Sequence, residues 1–321
     1  MSEPTEQVAY WNGCWVPRSS LRLSVDDLGF LMGATVAERL RTFGGRLFRL
    51  REHWERLEHS LTLVGGRSWV DLPQLASVSQ ELVDTNAAFL DPEDDQGLVV
   101  FVTPGVAGGE DPTVCLYSDP LPFHQWVRLY EFGQKLVTAS PRQVPPNCWP
   151  PSLKCRSRMH YYLADLEARR QDAASRALIL DQRGYIAEAT TANIVFWFPD
   201  EGLVTPRAEY VLPGVSLAVV EELAKRLGLR WTERDIAPHE TASAEEAFLC
   251  STSPCLIPVS AIDGTSVGGG HPGPMFARLM AEWSRWVGCD IPDQARRFAA
   301  QRTSGPKRDG IAEPETAPHG T

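Results

Sequence analysis

Between residues 8 and 290 the spacing of apolar residues switches repeatedly between short strand-like runs and a helical repeat, on both sides of two proline-rich breaks. A chain patterned in this way buries its apolar faces by laying helices on sheets, so mixed α and β structure is predicted in each half. Val8-Ala9-Tyr10-Trp11 runs into Asn12-Gly13, and Leu40 to Phe43 runs into Gly44-Gly45, both of which read as strands entering tight hairpins. Leu50, Trp54, Leu57 and Leu61 share one helical face, and a second helix is predicted from Leu72 to Leu90 with Asp71 as its N-cap. Gly97–Val102 and Thr113–Tyr117 are β-branched runs joined by a glycine-rich loop. Farther along, helices are predicted at Arg158–Arg170, Ser216–Leu227 and Pro274–Val287, and strands at Ala177–Asp181, Asn193–Trp197, Phe248–Ser251 and Leu256–Val259.

The 321 residues exceed the usual size of a single core, so two domains of roughly 120 to 170 residues are expected. The Pro-rich segments Ser118–Phe123 and Val144–Pro151 are the candidate junctions. Placing it near residue 125 gives a smaller N-terminal α/β domain over 1–124 and a larger one over 125–290. Residues 291–321 are polar and rich in Pro, Gly and charge, and are expected to be a disordered tail.

Charge and cysteine usage exclude several classes. The net charge is −10 and arginines are scattered, so no basic stripe exists for nucleic acid. The start, MSEPTEQ, has neither a basic nor an apolar leader region, and no apolar run approaches the roughly 18 residues of a membrane span, so a cytoplasmic protein is expected. Seven cysteines without C-x-x-C spacing are expected to be reduced thiols, with no zinc.

The chain has only four lysines. Lys135, Lys225 and Lys307 suit the surface, whereas Lys154 follows a proline-stiffened loop and precedes a helix. A buried amine there could act as nucleophile and proton shuttle, although a lysine in such a place is ordinarily structural. Glu188, in a turn leading to a strand, could face a pyridine nitrogen and keep that ring protonated, or could be a solvated turn residue. Leu212-Pro213-Gly214-Val215-Ser216 opens a helix whose free N–H groups suit an anion, and Ser251-Thr252-Ser253 adds hydroxyls after a strand. Arg56 could add a countercharge to such an anion, or lie on a solvated helix face.

Taken together, these segments resemble a known family. Leu47-Phe-Arg-Leu-Arg-Glu-His53-x-x-Arg56-Leu57, the Lys154 segment, Glu188-x4-Asn193, Leu212-Pro-Gly-Val-Ser216, and Ser251-Thr-Ser with Ile257-Pro-Val-Ser-Ala-Ile-Asp-Gly264 are similar in order and approximate spacing to the class IV aminotransferases. That family is fold type IV of the pyridoxal-phosphate (PLP) enzymes and includes branched-chain and D-amino-acid aminotransferases and aminodeoxychorismate lyase. The resemblance spans about residues 8–265. It implies two α/β domains with PLP between them in a homodimer, Lys154 as the Schiff-base lysine and Glu188 beside the pyridine nitrogen. It further implies that Arg56, the backbone of Val215 and Ser216, Thr252 and Ser253 hold the phosphate. The implied reaction moves an amino group between an amino acid and a 2-keto acid.

Specificity positions depart from the family's patterns. Thr103-Pro104-Gly105 stands where D-amino-acid aminotransferases and the lyases resemble Thr-Arg-Gly, Met159 stands where branched-chain enzymes usually have tyrosine, and Gly33-Ala34 replaces Gly-Asp. Glu38 and Arg41 resemble the transaminases rather than the lyases, and Arg41, Met159 and Arg156 are the candidate substrate residues. Arg156 and Arg158 flank the lysine and could capture a carboxylate or pair with surface acids. A lyase releasing pyruvate is the alternative reaction, and a non-catalytic relative keeping the fold is a third reading, against which the presence of both Lys154 and Glu188 argues.

Overall fold

The computed structural model describes residues 4–304, with side chains through residue 300. The first sheet is built from β1 (Val8–Trp11), β2 (Cys14–Pro17), β3 (Val36–Phe43), β4 (Arg46–Leu47), β5 (Gln96–Thr103) and β6 (Thr113–Pro120), ordered β2-β1-β6-β5-β3-β4 and antiparallel throughout. Both expected hairpins form: Trp11 pairs with Cys14 across Asn12-Gly13, and Phe43 with Arg46 across Gly44-Gly45. The turn glycines have positive φ, +88° at Gly13 and +55° and +74° at Gly44 and Gly45, which favours a residue without Cβ. After α1 (Leu28–Leu31), the helices α2 (Leu50–Leu63) and α3 (Leu72–Asn86) cover one face of this sheet. Trp54, Leu57 and Leu61 are buried on α2 as the spacing predicts, each leucine contributing roughly 1.5–3 kcal/mol. Asp71 accepts from the Gln74 N–H at 3.1 Å and caps α3.

α4 (Phe123–Phe132) leads to the second sheet and spans residue 125, near which the junction is expected; the apolar face of Phe123, Trp126 and Tyr130 was hidden behind the proline signal of Ser118–Phe123. The second sheet contains β7 (Gln134–Thr138), β8 (Ser175–Leu180), β9 (Ile186–Ala189), β10 (Asn193–Phe198), β11 (Gly202–Thr205), β12 (Trp231–Glu233), β13 (Glu246–Ser251) and β14 (Cys255–Ile262), with β15 (Thr265–Ser266) beside β14. Its order is β12-β11-β10-β13-β14-β7-β8-β9. α5 (Met159–Gln171) lies on β7 and β8 over a small-residue cluster of Ala164, Ala168 and Ala177. α6 (Val215–Arg226) and α7 (Pro274–Val287) pack on β13 within the largest core cluster. The start of α7 is fixed by Pro274 at its first turn and by the Glu246 carboxylate, which accepts from the N–H groups of Met275 and Phe276 at 2.7 and 2.9 Å.

The expected disordered tail is corrected by the structure: residues 291–304 form a helix, α8 (Ile291–Ser304), packed against α4. Polar composition masked an i, i+4, i+7 apolar set, for Ile291, Ala295 and Phe298 are buried and the Phe298 ring stacks on Phe123. Residues 305–321 lie outside the described residues.

Candidate active site

The loop carrying Lys154 is stitched along the start of β3. The Lys154 carbonyl accepts from the Ala37 N–H at 3.0 Å, the Thr35 carbonyl accepts from the Arg156 N–H at 2.8 Å, and the Lys154 N–H donates to the buried Ser60 hydroxyl of α2 at 3.2 Å. Backbone pinned on both sides sends the side chain into a cavity of about 420 Å³ lined by both sheets and the 143–158 loop, within the range of roughly 300–1,000 Å³ typical of small-molecule sites. Among the described residues nothing hydrogen-bonds or ion-pairs with the Lys154 amine. Dense packing lowers its pKa to about 7, with repulsion from Arg56, Arg158 and Arg156 adding to the effect and the Glu38 carboxylate opposing it. An amine in that state is a neutral nucleophile near neutral pH.

Glu188, on β9, also lines the cavity and is buried. Tyr161 donates its hydroxyl and Gln143 its amide to Oε1, while Oε2 receives a 3.5 Å contact from the Asn193 amide and the Leu212 N–H also acts on the carboxylate. Burial raises its pKa against those neutral donors. A lone pair of Oε2 is therefore open to a cationic N–H donor in the cavity.

Glu38 shows the opposite state. Burial alone would raise its pKa, but Arg56, which donates to both carboxylate oxygens at 2.7 and 2.8 Å, and His53, whose Nδ1 lies 2.8 Å from Oε2, hold it well below the usual carboxylate range. Arg56 also donates to the Pro213 carbonyl at 2.9 Å, which ties α2 to the loop before α6. At that helix the N-cap Gly214 has no side chain to offer, so the N–H groups of the first turn remain open at the cavity wall. A Cβ on Gly214 would lie 2.0 Å from Asn193 Oδ1, so this close approach requires glycine. Ser251 at the end of β13, with Thr252 and Ser253 on the turn to β14, completes this end of the cavity.

The family profile for amino-transferase class IV matches residues 35–262. The chain belongs to the class IV aminotransferase family. It is 29% identical to the D-alanine aminotransferase of Bacillus licheniformis over 83% of this chain and 92% of that protein. It is also 29% identical to a putative branched-chain-amino-acid aminotransferase of Methanocaldococcus jannaschii, over 84% of this chain and 93% of that protein. Among solved structures it is similar to the branched-chain amino acid aminotransferase of Thermobaculum terrenum, with a TM-score of 0.78 at 25% identity over 88% and 93% of the two chains. A T.th. branched-chain amino acid aminotransferase, solved with pyridoxamine 5'-phosphate, matches with a TM-score of 0.78 at 23% identity, over 88% and 95%.

In this class IV aminotransferase the cavity gathers most of the residues that the sequence singled out. Arg56, Lys154, Arg156, Glu188, Val215, Ser216, Thr252 and Ser253 all line it. Two of the candidate substrate residues do not. Arg41 is fully buried on β3, donating to the Ser253 carbonyl at 2.8 Å and to Gln294 Oε1 at 2.8 Å, with its guanidinium over the Phe43 ring. It braces the Ser251–Ser253 turn from behind and has no access to a substrate. Met159, the first residue of α5, is 69% exposed and points away from the cavity, where His160 and Tyr161 stand instead.

Gln143, Tyr161 and Arg39 are among the site residues that sequence reasoning passed over. Gln143 lies in a loop with no local periodicity, so nothing marked it. Tyr161 follows the lysine by seven positions on the inner face of a helix, a geometry visible only once the start of α5 is fixed. Arg39 carried a signal: three charged residues in the buried run Val36–Phe43 cannot all be surface residues.

Proposed function

We propose that this chain is a PLP-dependent aminotransferase that moves an amino group between an amino acid and a 2-keto acid. The carrying observation is that the unpartnered amine of Lys154 and the open oxygen of Glu188 line the same cavity. The donor set fits PLP: Lys154 Nζ for its aldehyde carbon, Glu188 for its ring N–H, and Arg56, the Val215 and Ser216 N–H groups, Thr252 and Ser253 for its phosphate. When bound, PLP supplies an electron sink for the carbanion at the substrate α-carbon. With PLP bound, the Lys154 amine would be the group placed to take a proton from the substrate α-carbon and to give it back to the cofactor's C4′, so one residue would serve as anchor and as general acid/base. Glu188 would hold the ring N–H of a bound PLP, and Tyr161 and Gln143 hold Glu188 in place. The Asn193 amide donates to the Leu212 carbonyl at 2.9 Å and its Oδ1 stands close against Gly214, tying β10 to the loop before α6. The named relatives in the comparisons are aminotransferases, so the pyruvate-releasing lyase is not favoured.

The test is direct. The purified protein should show a visible absorption band that borohydride abolishes, with the cofactor mass recovered on the Lys154 peptide. A colourless protein that takes up no PLP sinks the reading.

We further propose that the working form is a homodimer in the cytoplasm. Phe30, Leu31 and Met32 at the end of α1, and Met159, Tyr162, Leu163 and Leu166 on α5, are exposed. The two sets are joined where the Ser157 hydroxyl donates to the Gly33 carbonyl at 2.7 Å. A second copy is the occupant that an exposed apolar strip of this kind fits. Light scattering on the wild type should give a dimer mass and on Leu163→Glu a monomer mass.

A further inference from the structure

The cavity of a chain whose net charge is −10 is lined by six cationic side chains, Arg39, Arg56, Lys154, Arg156, Arg158 and Arg176, against two carboxylates, Glu38 and Glu188. Arg56 is matched by Glu38, and Arg176 is satisfied by the hydroxyls of Thr190 and Thr191. Lys154 is committed to the cofactor on the reading above, on which this inference rests. Three guanidiniums remain. Arg39 donates only to the Ser253 hydroxyl at 3.0 Å and Arg158 only to the Cys155 carbonyl at 3.1 Å. The Arg156 guanidinium has no hydrogen-bond partner among the described residues and lies within electrostatic range of both Arg39 and Arg158. No carboxylate within 4.0 Å answers any of the three among the described residues.

Guanidiniums gathered without counter-ions repel one another, and the cost is offset only when an anion arrives. The cofactor phosphate already has its own donors at the α6 N-terminus. A substrate α-carboxylate is a single anion and occupies one bidentate partner, leaving two cations facing the remaining space. We propose that Arg39 and Arg156, with Arg158 left for the α-carboxylate, form an anion subsite for the substrate side chain, so that the preferred amino acid and 2-keto acid carry a second anionic group, such as a side-chain carboxylate. Both halves of a transamination use this one cavity, so the preference holds in both directions. Branched-chain and other apolar side chains would face guanidiniums that they cannot satisfy.

The experiment uses the full chain saturated with PLP and compares 2-oxoglutarate with 4-methyl-2-oxopentanoate as amino acceptors. The wild type should favour 2-oxoglutarate by on the order of 100-fold in kcat/KM, the scale of a charge-assisted contact that only one substrate can make. Arg156→Gln and Arg39→Gln should each lower kcat/KM for 2-oxoglutarate by about 10–100-fold, chiefly through KM, and change that for 4-methyl-2-oxopentanoate by less than about threefold. Arg156→Lys should recover part of the loss, which a merely structural role would not produce. An equal loss for both substrates, or a wild type that favours the apolar acceptor, overturns the subsite while leaving the borohydride-trapped cofactor on Lys154 intact. Failure to trap any cofactor there takes both readings down together.

Discussion

Two glutamates line one cavity and are held in opposite states. Glu38 is saturated, with a guanidinium on both oxygens and a histidine behind it, and its carboxyl is pushed far down. Glu188 has only neutral donors, its carboxyl is pushed up by burial, and the Asn193 amide reaches one of its oxygens only at long range. The first charge is balanced by the protein itself. The second waits for a cation that the protein does not supply, and that difference separates a carboxylate that holds the scaffold from one that addresses a ligand.

The comparison breaks first at Glu38. Glu38→Gln leaves Arg56 buried beside a neutral amide, and losing one partner of such a pair costs about 3–5 kcal/mol. Chemical denaturation of the cofactor-free protein should show the loss as a lower midpoint with an unchanged slope. Loss below about 1 kcal/mol would mean that the pair is ornamental. Glu188→Gln should do the reverse. Tyr161 and Gln143 can still donate to the amide oxygen, so the midpoint should hold, while kcat falls on the order of 100–1,000-fold, the scale of one preorganised electrostatic contact removed. A Glu188→Gln variant with near-normal kcat would remove Glu188 from the site's chemistry.

A smaller effect should come from outside the cavity. Gln294 on α8 accepts from Arg41 at 2.8 Å and donates to Asp95 at 2.7 Å, and Arg41 in turn holds the Ser253 carbonyl. Gln294→Leu leaves two buried charged groups short of a partner, at a cost of about 1–3 kcal/mol. The affinity for PLP should weaken along with stability, because the Ser251–Ser253 turn loses its brace. Unchanged cofactor affinity would confine α8 to a packing role.

How far the sequence revealed these roles depends on how local their causes are. The hairpins at Asn12-Gly13 and Gly44-Gly45, the cap at Asp71 and the α6 opening at Pro213-Gly214 are set by near neighbours, and each could be read directly. Lys154 and Glu188 were legible as a pair because ordered motifs surrounded them. Arg41 was misread as a substrate contact, because the residue that claims it, Gln294, is 253 positions away on a helix that composition had hidden. The state of Glu188 was equally invisible, since Gln143 and Tyr161 reach it from 45 and 27 positions away. Local chemistry proposes a charge's role, and distant partners decide it.

Lys154 lines the same cavity as the two carboxylates and reports which of them it feels. Its pKa is lowered to about 7 by burial, with Glu38 the one carboxylate opposing the shift and Arg56 reinforcing it. Imine formation needs the neutral amine, so PLP uptake by the cofactor-free protein should rise about tenfold per pH unit below 7 and level off above it, whereas an ordinary lysine would keep gaining up to about 10.4. Glu38→Gln removes the attraction and leaves the Arg56 charge uncompensated, so its midpoint should move to lower pH. Glu188→Gln should leave the midpoint nearly in place, because Glu188 is not among the groups that chiefly set the Lys154 shift. Stopped-flow uptake from pH 5.5 to 9 separates these outcomes, and a midpoint that moves with Glu188 and not with Glu38 would reverse the division of labour between the two carboxylates.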